Sequence, residues 1–207
     1  MTTVRIFFEK CGESAYISLL DLQRVFHRML KMSSLPVYYT QGFNPHIYLS
    51  FTCPLSLGQE SLCESCEVKT EQETIDPQVC FHQPELGMHE FVCYFEESDG
   101  TRSPIQQSMD AGLMVYDLFA PDDVEVTKKT KRGCKTLELK HYLDRIEYTI
   151  EGGTLRFTAL LPCGSGEALN LNPSLLTDFL RTQGAAPVWQ CRVVRTHLYN
   201  KAGKDFE

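Results

Sequence analysis

Two carboxamides and an imidazole stand close together in the segment of residues 41–46, whose sequence is QGFNPH. Gln41 and Asn44 can each donate and accept hydrogen bonds, and His46 is a side chain that titrates near neutral pH. Gly42 can adopt backbone angles that are closed to other residues, and the proline of the segment restricts the residue before it. The pattern predicts a stiff, exposed loop, which is more typical of a functional site than of a packing device.

Acid–base chemistry is one use of these groups. His46 and Asp21 are the candidate acid and base, and His27 is a third group that the fold could bring to the same place. The spacing does not force the three to converge. Asp21 stands three residues after Ser18, which is a variant of the capping box, so the sequence favours a structural role for it over catalysis.

Basic side chains offer contacts to phosphate. Arg24 and Arg28 are four residues apart in a predicted helix, which is an unfavourable pair unless an anion binds it. The candidate substrate-binding residues are Arg24, Arg28, Gln41, Asn44, His46, Lys128, Lys129, Lys131 and Arg132. Such a set suits an RNA, with phosphates held by the cations and a base edge contacted by the amides. A solvated basic face is the alternative, and the net charge of −7 favours it.

The nine cysteines show no disulfide spacing, and we expect reduced thiols in a cytoplasmic protein. Cys63 and Cys66 have the spacing of zinc ligands, but the sequence supplies no clear second pair, so no metal is predicted and the two remain weak candidates. The Cys-x-x-x-Cys-x-x-Cys pattern that holds the cluster of radical SAM enzymes is absent from the sequence. We expect no cofactor in this chain.

The first half of the chain must position the 41–46 segment. Strand patterns cover residues 4–8, 47–53, 64–70 and 91–95. A helix is predicted from Ser18 to about Ser33. The residues at helical spacing that should face its core are Leu19, Leu22, Phe26, Met29 and Leu30. Strand, helix, strand, strand is most of a ferredoxin-like βαββαβ unit, although its second helix, near residues 77–81, is poorly supported.

The second half follows a polar, turn-rich stretch at residues 96–104. A strand is predicted at 113–119. Two strands around Gly152 and Gly153 then form a hairpin, a helix begins after Asn172, and a strand at 188–194 ends the pattern. The predicted fold is α+β, with two packed ferredoxin-like units that have antiparallel sheets, one at residues 1–97 and one at 98–207.

Several of these motifs resemble the DUF2344 family. They are Lys10-x-Gly12, Tyr16-Ile-Ser18, Leu35-Pro-Val37, the QGFNPH segment and Leu49-Ser-Phe51. The resemblance is strong over residues 5–58 and returns at about 128–199. Members are known as radical SAM-linked proteins, fused to or encoded beside a B12-binding radical SAM protein. The family has no established activity, so the resemblance implies a context and a partner.

The composition is that of a globular protein, with 43% hydrophobic residues, and no apolar run is long enough to span a bilayer. The expected function is that of a non-catalytic accessory of a radical SAM enzyme, which binds a tRNA or rRNA substrate and presents it for modification. Two alternatives stay open. One is a stand-alone enzyme that uses His46 and Asp21, and the other is a module that contacts only a partner protein.

Overall fold

The computed structural model describes residues 1–71, 86–97, 125–130, 133–143, 147–151, 154–164, 169–182 and 189–206. They form a mixed α+β structure in which strands predominate and the strand pairs within each unit are antiparallel. The chain divides into two compact units, Met1–Glu85 and Leu86–Glu207. No helix in the described part of the chain has both the length and the apolar character needed to cross a bilayer.

The described residues of the first unit form three strands, one α-helix and a short 3-10 helix. Its elements in chain order are β1 (Thr2–Lys10), a 3-10 helix (Gly12–Tyr16), α1 (Leu19–Met32), β2 (Leu49–Phe51) and β3 (Glu60–Thr70). β3 lies in the middle and pairs antiparallel with both β1 and β2. The predicted order of strand, helix, strand and strand is therefore confirmed in this unit.

Helix α1 begins at the predicted cap and packs through an aromatic cluster. The backbone N–H of Asp21 donates to Ser18 Oγ at 3.1 Å, which satisfies an otherwise unpaired donor of the first turn. Phe26 is buried, with its ring centroid 4.8 Å from that of Phe8 and 5.5 Å from that of Phe51. These aromatic contacts fix the helix against β1 and β2.

The predicted core face of α1 is correct at its centre and wrong at its edge. Phe26 and Leu30 are buried, but 59% of Met29 and 42% of Leu19 are exposed. A helical repeat shows which residues share a face, but tertiary packing decides how wide a part of that face is covered. Met29 lies at the uncovered edge, where it is available for contacts outside the unit.

A second core cluster holds the segment that leads out of the 41–46 loop. Ile47 is 1% exposed and packs with Leu30 of α1 and Val68 of β3. Because Ile47 directly follows His46, the loop is anchored at one end to both the helix and the sheet.

The second unit is a four-stranded sheet with a separate hairpin. Its elements are β4 (Leu86–Glu97), β5 (Glu125–Thr130), β6 (Gly133–Glu138), α2 (Lys140–Leu143), β7 (Glu147–Glu151), β8 (Thr154–Pro162), α3 (Ser174–Thr182) and β9 (Trp189–Asn200). In the sheet the strand order is β9, β4, β8, β7, while β5 pairs with β6. β4 lies in this unit because it pairs with β8 and β9. The boundary predicted from the sequence, after residue 97, would place β4 in the first unit instead.

Two local predictions in the second unit are confirmed. β7 and β8 pair up to Glu151 and Thr154, as expected for a hairpin with a two-residue connection. Asn172 Oδ1 accepts a hydrogen bond from the backbone N–H of Ser174 at 2.9 Å, which caps α3. The helix predicted near residues 77–81 and the strand at 113–119 lie outside the described residues.

Candidate functional site

The 41–46 segment forms an exposed turn that is closed by backbone pairing. Tyr39 and Ile47 form an antiparallel bridge, and the backbone N–H of Thr40 donates to the carbonyl of His46 at 2.8 Å. All six residues from 41 to 46 are exposed. Gly42 has a φ of +142°, in the range that favours glycine, as its place in the sequence indicated.

The turn fixes the His46 ring through one of its two nitrogens. Nδ1 lies 3.1 Å from the carbonyl oxygen of Asn44 and 3.0 Å from Thr40 Oγ1. A carbonyl oxygen only accepts, so Nδ1 carries the proton that is donated to Asn44. In the neutral ring Nε2 then has a lone pair, and this exposed atom can accept a hydrogen bond or a proton from a bound molecule.

Asp21 is occupied at the start of α1. Its Oδ2 accepts from Ser18 Oγ and its Oδ1 from Arg24 Nη1, each at 2.7 Å. The hydrogen bond from Ser18, followed by that from Arg24, lowers the pKa of the Asp21 carboxyl below its usual value. A carboxylate stabilised in this way is a poor base. These contacts give the Asp21 side chain a structural role in the cap of α1.

The residue that His46 does approach is His27, on α1. Burial lowers the pKa of His27, and the charge of His46 lowers it further, while a hydrogen bond to the backbone of Ile47 acts in the opposite direction. Lys31, one turn along the helix, also lowers the pKa of His27. His46 and Lys31 are therefore both near His27, so the basic side of the helix lies next to the loop. His27 and His46 are among the groups that the sequence indicates could converge, and these two do, without Asp21.

The outer face of α1 carries two neighbouring stripes. The basic stripe is formed by Arg24, Arg28 and Lys31, and the apolar stripe by Val25, Met29 and Met32, each with helical spacing of four and three residues. All six side chains are exposed. Arg24 pairs with Asp21, whereas among the described residues neither Arg28 nor Lys31 has an ion-pair partner.

Exposed aromatic rings lie on the same loop and its flanks. Phe43 is fully exposed at the turn, with a relative exposure of 107%, and Tyr39 and Tyr48 are each more than one third exposed. Lys69 Nζ lies 4.2 Å from the centroid of the Tyr48 ring, which is a cation–π distance. Large apolar side chains held in solvent on a fixed turn are available for stacking or docking.

The second basic segment is described only in part. Lys128 lies on β5, and its Nζ donates to the backbone carbonyl of Asn170, so this amine is engaged within the second unit. Lys129 is also on β5, but its side chain is outside the described part of the chain, as are Lys131 and Arg132 altogether. These four residues stay candidate ligands for phosphate.

The weak metal candidates, Cys63 and Cys66, are separated by their secondary structure. Both lie on β3, where residues three apart project to opposite faces of the sheet, so the two thiols cannot bind one ion together. Burial, with a contribution from Glu67, raises the pKa of Cys66 to about 12, which keeps its thiol protonated. The zinc-like spacing has no chelating geometry on an extended strand.

The loop geometry leads to a prediction for Gly42. A Cβ at this position would meet nothing within 4 Å, so alanine adds no clash, but it must adopt a φ that strains an L-residue. We expect Gly42→Ala to destabilise the turn by about 1–3 kcal/mol. Faster hydrogen exchange in peptides that cover residues 39–47 measures this. Asn44→Ala, whose backbone φ is not positive, is the control and should exchange as the wild type does.

The lowered pKa of His27 makes the stability of the first unit depend on pH. The unfolded chain binds a proton at about pH 6.5, and the folded chain only at lower pH, so the unfolded state binds more protons in between. Stability contributed by neutral His27 should therefore be complete above pH 6.5 and lost as the pH falls from this value through the lower pKa of the folded chain. Hydrogen exchange of α1 between pH 5 and 8 measures it. A difference between wild type and His27→Gln that does not change with pH would contradict this assignment.

The first unit corresponds to a known family. Residues 3–84 match DUF2344, described as an uncharacterized protein conserved in bacteria, which confirms the resemblance over this range. The resemblance over residues 128–199 stays a prediction. No curated protein matches the chain.

The fold is similar to that of a solved structure. The chain is similar to a chain in "Crystal Structure of a Cbf5-Nop10-Gar1 Complex", with a TM-score of 0.50 and 13% sequence identity. The similarity covers 94% of this chain and 48% of the other, so the chain spans about half the length of that structural relative. At this level of identity the likeness describes the fold alone.

Proposed function

We propose that the protein is a non-catalytic accessory of a radical SAM enzyme that binds RNA and presents it for modification. The observation that carries the proposal is the meeting of exposed aromatic, amide and basic groups in the first unit, around the 41–46 turn and the basic stripe of α1. The radical SAM partner is inferred from the resemblance to DUF2344. The cytoplasmic setting is inferred from the reduced cysteines. Within this proposal each unit is a variant of the ferredoxin-like βαββαβ arrangement.

The groups around the turn suit a single-stranded segment of RNA. Phe43 and Tyr39 offer ring faces on which bases can stack, and stacking contributes on the order of 1–3 kcal/mol for each base. Arg28 and Lys31 can contact phosphates, and the net charge of −7 means that binding depends on this local surface. The amides of Gln41 and Asn44, with His46 Nε2, can form hydrogen bonds to a base edge.

Salt-dependent binding to bulk tRNA tests the proposal. A surface that contacts about three phosphates should lose roughly tenfold to twentyfold in affinity between 50 and 200 mM salt. Phe43→Ala should weaken binding by at least about fivefold through lost stacking. Leu57→Ala is the matched control, because Leu57 is also an exposed apolar residue of the first unit, at 65%. Binding that is absent, or insensitive to salt, would reject RNA as the ligand.

A protein-docking module is the second candidate, and the apolar stripe of α1 favours it. Val25, Met29 and Met32 are 45%, 59% and 78% exposed, which is unusual for three apolar residues on one helix face. A partner helix could pack on this stripe without RNA. Met29→Asn/Met32→Asn should then abolish co-purification of the radical SAM partner, whereas the RNA affinity of the chain alone should change little because the charge of the helix is unchanged.

A further inference from the structure

The second unit contains a buried histidine with one nitrogen that has no partner. His89, on β4, is 2% exposed, and its Nε2 lies 2.8 Å from the carbonyl oxygen of Leu171. Because that oxygen only accepts, Nε2 carries the proton and Nδ1 has the lone pair. Nδ1 is inaccessible to solvent, and among the described residues it has no hydrogen-bond partner. An unsatisfied buried acceptor costs free energy, so its retention calls for an explanation.

The strand register brings a cysteine close to the ring of His89. His89 pairs with Leu161 across β4 and β8, and Cys163 is two residues beyond Leu161, so it projects to the same face of the sheet as His89. Cys163 is 1% exposed and is not in a disulfide. Its Sγ lies within 4.8 Å of a ligand atom of His89. The chain sequence separates the two residues by more than seventy positions, so no spacing motif reveals them.

We propose that His89 Nδ1 and Cys163 Sγ are two ligands of a buried zinc site. Histidines that bind metals commonly donate their other N–H to a backbone carbonyl, which is the arrangement that Leu171 provides. Zinc accepts both imidazole and thiolate, and bond lengths of about 2.1 and 2.3 Å place the two ligand atoms about 3.6 Å apart at a tetrahedral angle. The ligand atoms of the two residues lie within 4.8 Å of each other, so binding would require the side chains to move closer to reach this separation.

Two other roles fit the pair less well. A cysteine that acts as a nucleophile beside a histidine needs access for a substrate, and both side chains are at least 98% buried. A purely apolar packing role would leave Nδ1 without a partner, whereas a cation satisfies it. Zinc binding also converts the thiol to thiolate and releases its proton, so affinity should rise with pH.

Zinc binding by the full chain, prepared under reducing conditions and treated with chelator, tests the site. We expect about one zinc ion per chain in competition with a chromophoric chelator, and loss of this binding in His89→Ala and in Cys163→Ser. Cys134→Ser is the matched control, since Cys134 is an exposed cysteine of the same unit, and it should bind as the wild type does. Absence of stoichiometric zinc, or zinc retained in both site variants, would overturn the proposal.

X-ray absorption spectroscopy of zinc bound to the wild-type chain tests the proposal even if the variants do not fold. The zinc in the wild-type chain should show both nitrogen and sulfur in its first coordination shell. Cobalt(II) in its place should give a charge-transfer band from thiolate. A zinc shell that holds only oxygen and nitrogen would also overturn the assignment. None of these outcomes depends on whether the first unit binds RNA.

Discussion

Replacing Phe26 with alanine is expected to destabilise the first unit by about 3–5 kcal/mol. Phe26 is 8% exposed and stands between Phe8 and Phe51, so its removal leaves a cavity and ends both ring contacts. The loss should appear in α1 and β3 together, because Leu30, one turn along the helix, holds the second core cluster. This loss is a large part of the total free energy of unfolding of a small unit.

Hydrogen exchange followed by mass spectrometry measures this loss where it occurs, which matters because the chain has two compact units. Peptides from residues 19–32 and 60–70 should exchange faster by about two to four orders of magnitude. Met29→Ala is the matched control: it lies on the same helix but is 59% exposed, and should change stability by less than about 0.5 kcal/mol. Equal effects of the two replacements would show that α1 does not pack through the aromatic cluster.

The parts of the fold that the sequence predicts are those with a local cause. Ser18 and Asn172 cap their helices through hydrogen bonds to residues two or three positions away, and β7 and β8 pair on either side of the two adjacent glycines from which the sequence predicts a hairpin. The signals for the two caps and for the pairing that brackets residues 152–153 are complete within a few residues of the sequence. The exposure of the 41–46 turn belongs to the same class, because Gly42 and the following proline shape it locally.

The parts that the sequence misses depend on distant contacts. β4 was expected to close the first unit, but its partners, β8 and β9, begin more than fifty residues later. The same holds for the approach of His89 to Cys163, which needs the strand register before it can be seen. His27 and His46 are named from the sequence as groups that could converge, but only the packing of α1 shows that they do. A pattern along the chain carries no direct information about such pairs.

Met29 shows a third kind of failure, in which the spacing is correct and the environment differs. It shares a face with Leu22 and Phe26 by helical periodicity, but 59% of it is exposed. The exposed apolar stripe is therefore visible only once the packing of α1 on the sheet is known. This stripe and the basic stripe beside it give the helix an outer face that the core does not explain.

Reversing the charge of the basic stripe, with Arg28→Glu/Lys31→Glu, is expected to weaken RNA binding about 100-fold at 50 mM salt. Each cation lost removes a phosphate contact, and each new carboxylate repels one, so the slope of log affinity against log salt should also fall by roughly two. Arg24 is left unchanged because it stabilises the cap through Asp21. Anisotropy of labelled tRNA over a range of salt concentrations measures both effects.

The matched control separates the position of the charges from their sum. Lys201→Glu/Lys204→Glu changes two exposed lysines of the second unit, and both double variants move the net charge from −7 to −11, since each replacement subtracts two. If RNA is bound at the basic stripe, only the helix variant should lose most of its affinity. Equal losses would show that binding follows the overall charge and would reject the stripe as the interface.

The helix variant also tests the local geometry without RNA. Lys31 is one of the positive charges that lower the pKa of His27, so its replacement by glutamate should raise that pKa, as measured by NMR titration. The control variant should leave the titration of His27 unchanged. A raised pKa together with unchanged RNA affinity would mean that the helix and the loop meet as described but that the RNA binds elsewhere. Support for the proposal requires both results in the helix variant, a loss of RNA affinity and a raised pKa of His27. Together they would show that the basic stripe borders the 41–46 turn and binds the phosphates.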